Sequence, residues 1–290
     1  MIDGFAGGHT QLGEWWPPAY KFQNICIPQY LLSMQEVIVG WWGLVASLAM
    51  IVIAIGISLL LRLRLERDLT IATGRSVGQL VIAGWALTLI LKDETPVIWA
   101  WLWVVAMIPF AALSASKREK RLQGLIWTTA AGYIFGLGIS LSVLFALQIL
   151  PLESRVLVPV AGMIVGNSLR VVVVAATRLV DAIRDSKLEI EAMLSLGFTR
   201  HKAVQRVVSE TLRLALIPQI ETTRTVGVIF LPGILTGLIL AGVDPLEAAL
   251  MQAVILFLIL GSAAITGLIV VLFGAQKFLT TDHRLEPPES

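Results

Sequence analysis

Charge is what this chain has least of. Asp, Glu, Lys and Arg supply 14% of its 290 residues, against about 25% in a soluble domain. That shortage excludes an ordinary water-soluble fold. There is one cysteine, Cys26, which excludes an internal disulfide and a cysteine-cluster metal site. His9, His201 and His283 lie far apart in loop-like stretches and form no metal box. No G-x-x-x-x-G-K-S/T phosphate loop occurs, which excludes ATP hydrolysis by that route in this chain. The formal net charge is only +2, so nothing argues for a nucleic-acid partner. The opening residues have neither a basic start nor a continuous apolar run, and do not read as a secretory signal.

What is present is apolar surface: 57% hydrophobic residues and a mean hydropathy of +0.83. The expected fold is all-α, a polytopic membrane protein. Seven spans are expected at 41–61, 73–91, 97–114, 124–150, 155–176, 217–241 and 246–274. Each is near or above the ~20 residues a helix needs to cross a bilayer. Residues 1–40 read as an extension with an interfacial helix, 177–216 as a cytoplasmic insert and 275–290 as a tail. Basic and non-basic loops alternate. Arg62, Arg64, Arg67 and Arg75 follow the first span, and Lys117, Arg118, Lys120 and Arg121 follow the third. The excess of Lys and Arg on one side places the N-terminus outside and the C-terminus inside.

Apart from Arg75, at the entry of the second, the first four spans carry no Asp, Glu, Lys or Arg, whereas the sixth carries Glu221 and Arg224. An ionisable group in hydrocarbon is costly and marks function by default. These two stand at i and i+3, where an ion pair lowers the cost of both. A span starting only near Val226 would leave both among lipid headgroups instead. The same span is interrupted by Pro232-Gly233 and followed by Thr236 and Gly237. Proline removes a backbone donor, and transport sites often use such broken helices. A kink satisfied by neighbouring helices is the alternative. Asn167, in the fifth span, is the remaining polar candidate for a path. Four pairs of small residues at four-residue spacing, 132/136, 162/166, 233/237 and 263/267, fit close helix packing within the chain or at a dimer seam.

The insert reads as two amphipathic helices parted by Gly197, a helix-stop glycine. It contains Glu191-Ala192-Met193-x-x-x-Gly197, whose spacing resembles the coupling loop of ABC-transporter permeases. The runs VPVAGMIVGNSL (158–169), LSLGFTRHKA (194–203) and IPQIETTRTVGVIFLPGILTGLILAGVDPLEA (217–248) resemble the FetB-type permeases. These are membrane subunits of an ABC system implicated in bacterial iron export, similar to plant half-transporters linked to aluminium tolerance. The resemblance implies a non-enzymatic permease of the bacterial inner membrane. It would work as a homodimer, with ATP bound by a separate ATP-binding subunit and no cofactor of its own. It further implies that Glu191, Ala192, Gly197, Phe198, Arg200 and His201 meet the ATPase. Glu221, Arg224, Pro232, Gly233, Thr236, Gly237 and Asn167 would line the path. A metal substrate follows from the resemblance alone. Its weak ligand candidates are Glu221 and Met163, which show no ligand spacing. An autonomous channel or secondary transporter is the alternative, resting on Glu221 and the broken sixth span.

Overall fold

The computed structural model describes residues 41–90, 96–122, 124–279 and 285. Every named element among them is a helix. These are α1 (Trp41–Leu60), α2 (Glu66–Ile90), α3 (Ile98–Arg118), α4 (Leu125–Ala146), α5 (Ser154–Asp185), α6 (Lys187–Ser195), α7 (Arg200–Thr225), α8 (Gly233–Leu240) and α9 (Pro245–Lys277). The expected N-terminal extension, with its interfacial helix, lies outside the described residues.

The chain divides into two compact units, Met1–Val81 and Ile82–Ser290. In the first, the turn between α1 and α2 is tied by Ser58, whose hydroxyl donates to Glu66 Oε2 and accepts from the Leu65 amide, both at 3.0 Å.

The second unit is assembled around α9. That helix packs along α4, α5, α7 and α8. Glycine permits the closest approach. A Cβ on Gly132 would stand 3.0 Å from the Thr266 carbonyl oxygen, and one on Gly136 only 2.9 Å from that of Ser262. The Thr266 hydroxyl donates to the Gly132 carbonyl at 3.2 Å. Gly267 of α9 is pressed in the same way by Val171 of α5 and Leu212 of α7. Two of the four small-residue pairs therefore serve packing within the chain. One core cluster, including Val172, Leu179, Val204 and Val271, fills the Lys277 end of the bundle. Another, including Val104, Tyr133, Leu157 and Ile255, fills the Asp244 end.

Five helices are long and apolar enough to cross a membrane: α1, α3, α4, α5 and α9. Their outward residues are large and apolar, such as Leu102, Val105 and Phe110 on α3 and Ile134 and Phe135 on α4. A soluble monomer does not expose so much apolar surface. Lipid is the solvent that suits it.

The helices run past the expected limits of the spans. α2 begins at Glu66, so Arg67 and Arg75 sit on a helix and the preceding loop is only 61–65. α5 continues to Asp185, and its 32 residues cross the expected boundary at 176/177 without a break. α7 likewise crosses 216/217, so Glu221 and Arg224 occupy its last turns and not the first turns of a new helix. The reason is that backbone hydrogen bonding propagates regardless of hydropathy. The sixth expected span is not one helix: α7 ends at Thr225, 226–232 is irregular, and α8 begins at Gly233.

Candidate functional site

The site is built where α7 stops. Pro218 stands within α7, and the helix then carries Thr222, Thr223 and Thr225 in its final turns. Their hydroxyls donate back to the carbonyls of Pro218, Gln219 and Glu221 at 2.8, 2.9 and 3.0 Å. The threonines thus satisfy their own polarity without help from elsewhere. Arg224 Nη1 lies 2.7 Å from Glu221 Oε1, the pairing expected at this spacing. Both side chains remain open in this chain, 69% and 54% exposed respectively. Beyond them the backbone folds into a tight loop. The Ile229 amide donates to the Thr225 carbonyl at 3.0 Å and the Gly227 amide to that of Phe230 at 2.9 Å. Gly227 has φ +86°, a left-handed value that suits glycine. Pro232 then caps α8 with extended backbone. The break is therefore wider than Pro232-Gly233 alone, and it starts at Val226.

Packing gives this pair a depth. Gly267 touches both Val171 and Leu212, so α5, α7 and α9 share a level there. α7 starts at the Lys277 end, where Thr199, Arg200 and His201 face Phe273, Gln276 and Lys277 across one cleft. From Leu212 to Glu221 is 221 − 212 = 9 residues, about 13 Å of helix. The same rise along α9 leads from Gly267 to Leu258, near the middle of its 33 residues. Glu221 thus stands at the level of mid-bundle. Counting back along α5 by the same amount reaches Gly162, beside Met163 and within two turns of Asn167. The Asn167 amide donates to the Met163 carbonyl at 2.8 Å.

At the Lys277 end, α6 and α7 form a hairpin. Gly197, at φ +84°, stops α6, and Thr199 opens α7 with extended backbone. Ile190 and Leu194 bury one face of α6. Arg206 holds the hairpin shut: its Nε lies 3.0 Å from Glu189 Oε1, and it also pairs with Glu210 at 3.4 Å. Glu191 pairs with Lys187 at 3.8 Å. The turn presents Leu196 and Phe198 outward, next to the exposed Ala192, Arg200 and His201, and Leu188 is exposed at the start of α6. The cleft beside it has a volume of about 730 Å³.

A second charge cluster braces the same end. Glu119 follows α3, and its side chain is only 4% exposed. It accepts from Arg121 Nη2 at 2.8 Å, from Arg121 Nε at 3.0 Å and from the Arg121 amide at 3.0 Å. Arg121 also reaches Asp181 of α5 at 3.2 Å. These donors, the Arg121 guanidinium foremost, hold the Glu119 carboxyl below the usual carboxylate range against the opposing effect of burial.

The structure brings Glu221 and Arg224 together and sets them beside the break at Val226–Pro232. It sets Gly197, Phe198, Arg200 and His201 on one turn, far from that pair. Thr236 and Gly237 lie exposed on α8. Among the described residues, no three His, Cys, Asp or Glu side chains converge as metal ligands. Sequence reasoning passed over a set of buried polar groups: Thr129, Ser168, Thr211, Gln252 and Ser262 each bury an oxygen without a partner among the described residues. The only signal was their polarity within apolar runs. Serine and threonine in such runs commonly bond to the backbone, so the types alone say little.

An all-helical bundle with lipid-suited outer faces and a charged pair beside a broken helix defines a polytopic membrane protein. The chain belongs to the family described as Uncharacterised protein family (UPF0014), which matches residues 41–279. It is 33% identical over 243 residues to the UPF0014 membrane protein YjkA of Bacillus subtilis, covering 84% of this chain and 97% of that one. It is 32% identical over 247 residues to the probable iron export permease protein FetB of Escherichia coli, covering 84% and 93%. It is 30% identical over 241 residues to the protein ALUMINUM SENSITIVE 3 of Arabidopsis thaliana, covering 83% and 88%. No solved structure matches the chain.

Proposed function

We propose that this chain is the membrane-spanning permease subunit of an ABC transporter, exporting iron or another metal with energy from a separate ATP-binding subunit. Two copies would form the membrane part, each crossing the bilayer seven times, with α2 and the α7–α8 pair added to the five apolar helices. The N-terminus would lie outside and the C-terminus in the cytoplasm of a bacterial inner membrane. The observation that carries the reading is the Glu221–Arg224 pair at mid-bundle depth, directly before an interrupted helix. A charged pair there has a large cost in lipid unless it serves a polar path. Relatives named for iron export and aluminium sensitivity support the substrate class.

Orientation is supported by the distribution of charge. Lys117, Arg118, Lys120, Arg121, Arg200 and Lys277 gather at one end of the bundle, whereas Glu153, Asp244 and Glu247 lie at the other. Coupling would use the hairpin. α7 is a single helix of 26 residues from Arg200 to Thr225, about 39 Å long. A push on the turn at Gly197–His201 would be delivered along α7 to Glu221, Arg224 and the irregular segment beyond. The exposed Leu196 and Phe198 offer the ATPase an apolar contact, and Arg200 and His201 offer polar ones.

Reconstitution with the ATPase tests this. ATP-dependent metal flux is expected from the complex, and Glu221→Ala should reduce that flux while the ATPase remains bound. Flux from the purified chain without ATP would favour an autonomous channel or secondary transporter. Unchanged flux in Glu221→Ala would remove that residue from the path.

A further inference from the structure

The cleft at the Lys277 end is lined in two ways. Thr199, Arg200 and His201 form one wall, and Phe273, Gln276, Lys277 and Leu279 form the other. No Asp or Glu is among these residues. The side chains of Arg200, His201 and Lys277 have no hydrogen-bond or ion-pair partner among the described residues. Carboxylates of the same end are engaged elsewhere. Arg121 holds Glu119 and Asp181, Arg206 holds Glu189 and Glu210, and Lys187 holds Glu191. Asp185, at the end of α5, pairs with none of the three cleft residues. The cleft therefore keeps uncompensated positive charge around a space of about 730 Å³.

Its depth fits the headgroup layer of a membrane. α9 has 33 residues, about 50 Å of helix, against about 30 Å of hydrocarbon. The last turns of α9 therefore stand among headgroups. Lys277 is the final residue of α9, and Phe273 lies one turn further in, about 6 Å toward the hydrocarbon. The Phe273 ring is 52% exposed. The cleft thus carries cations at its rim and an apolar ring on its membrane side. A site for a free anion has no use for that ring.

We infer that this cleft binds the headgroup of an anionic phospholipid, with Arg200 and Lys277 on the phosphate oxygens and an acyl chain against Phe273. Charge complementarity selects the headgroup. A zwitterionic lipid brings an ammonium group, for which the cleft has no carboxylate, whereas an anionic lipid brings none. The guanidinium fork of Arg200 suits two phosphate oxygens, and each Lys or Arg at a membrane surface favours anionic lipid. Thr199 and Gln276 add uncharged donors on the two walls. A phosphate held by these groups joins the start of α7 to the end of α9. Arg200 also belongs to the turn proposed to meet the ATPase, so the headgroup lies beside that contact. The inference needs only the membrane setting of the bundle and stands apart from the permease reading.

The test titrates the full-length chain, purified in neutral detergent, with phosphatidylglycerol or with phosphatidylcholine of the same acyl chains. Native mass spectrometry reads the bound lipid. Phosphatidylglycerol should bind more tightly. Arg200→Gln combined with Lys277→Gln should weaken its binding roughly 25-fold, about fivefold for each charge removed, and leave phosphatidylcholine binding unchanged. Lys277→Arg keeps the cation and should bind like the unaltered chain. Arg118→Gln combined with Lys120→Gln removes as much charge at the same end but outside the cleft, and should change nothing. Phe273→Ser should weaken lipid binding, and excess inorganic phosphate should not displace the lipid. Equal affinity for the two lipids, or equal loss in the two double variants, would overturn the inference in favour of diffuse attraction. Displacement by inorganic phosphate, or a Phe273→Ser chain that binds like the unaltered one, would overturn it in favour of a free-anion site. No readout involves an ATPase, so these outcomes leave the permease reading to its own test.

Discussion

Replacing Gly136 by alanine tests the contact on which the bundle depends most directly. The added Cβ would lie 2.9 Å from the Ser262 carbonyl oxygen and 3.1 Å from its hydroxyl, and would also collide with the Thr266 hydroxyl. The hydroxyls can rotate away, but the carbonyl belongs to α9 and can move only with that helix. Overpacking of this kind costs about 1–3 kcal/mol. The gain in helix propensity from glycine to alanine returns up to about 1 kcal/mol. With the full propensity gain returned, a net destabilisation of up to about 2 kcal/mol is expected. Gly138, two residues on, is the control: nothing lies within 4 Å of its added Cβ. Gly138→Ala collects the propensity gain alone and should be neutral or slightly stabilising. Reversible unfolding in mixed micelles, followed by helical circular dichroism across a titration with denaturing detergent, measures both. Adding Thr266→Ala should recover only part of the loss, because the Ser262 carbonyl stays in place. Equal stability of Gly136→Ala and Gly138→Ala would refute the close α4–α9 packing.

Glu119 gives a pH prediction. Its carboxyl is held below the usual range by Arg121, so its stabilising effect is complete above the unfolded carboxylate value of about 4.3. That effect is lost as pH falls through the lower folded value. The stability difference between the unaltered chain and Glu119→Gln should therefore shrink below about pH 4, as read by the same unfolding titration; a constant difference would show that the ion pair plays no part. Gly197→Ala places a side chain at φ +84°, at a strain of about 1–2 kcal/mol. It should loosen the hairpin turn and lower transport per ATP hydrolysed more than it lowers global stability, and equal transport per ATP would count against the turn as a coupling element.

Much of this was legible in sequence because it depends on neighbours along the chain. Long apolar runs give helices, Gly197 stops one and Thr199 opens the next, and Glu221 and Arg224 meet because a helix sets i and i+3 on one face. Helix limits were less legible. α5 and α7 run on past the ends of the apolar runs, since a helix is closed by the loss of its backbone partners and not by a change in hydropathy. The irregular stretch from Val226 was hidden for a similar reason. Val-Ile-Phe-Leu suits a buried helix as well as a loop.

Residues close along the chain were enough to specify an all-helical membrane protein with a charged pair and a break in one apolar stretch. Packing settles which glycines bring helices together, at Gly132, Gly136 and Gly267, and which stay open, at Gly233 and Gly237. It alone set Glu221 level with the middle of α9, through the contact of Val171 and Leu212 on Gly267. Depth and exposure depend on contacts between residues far apart in the chain. Hydropathy sums over one segment at a time, and no such sum contains the helix packed against it.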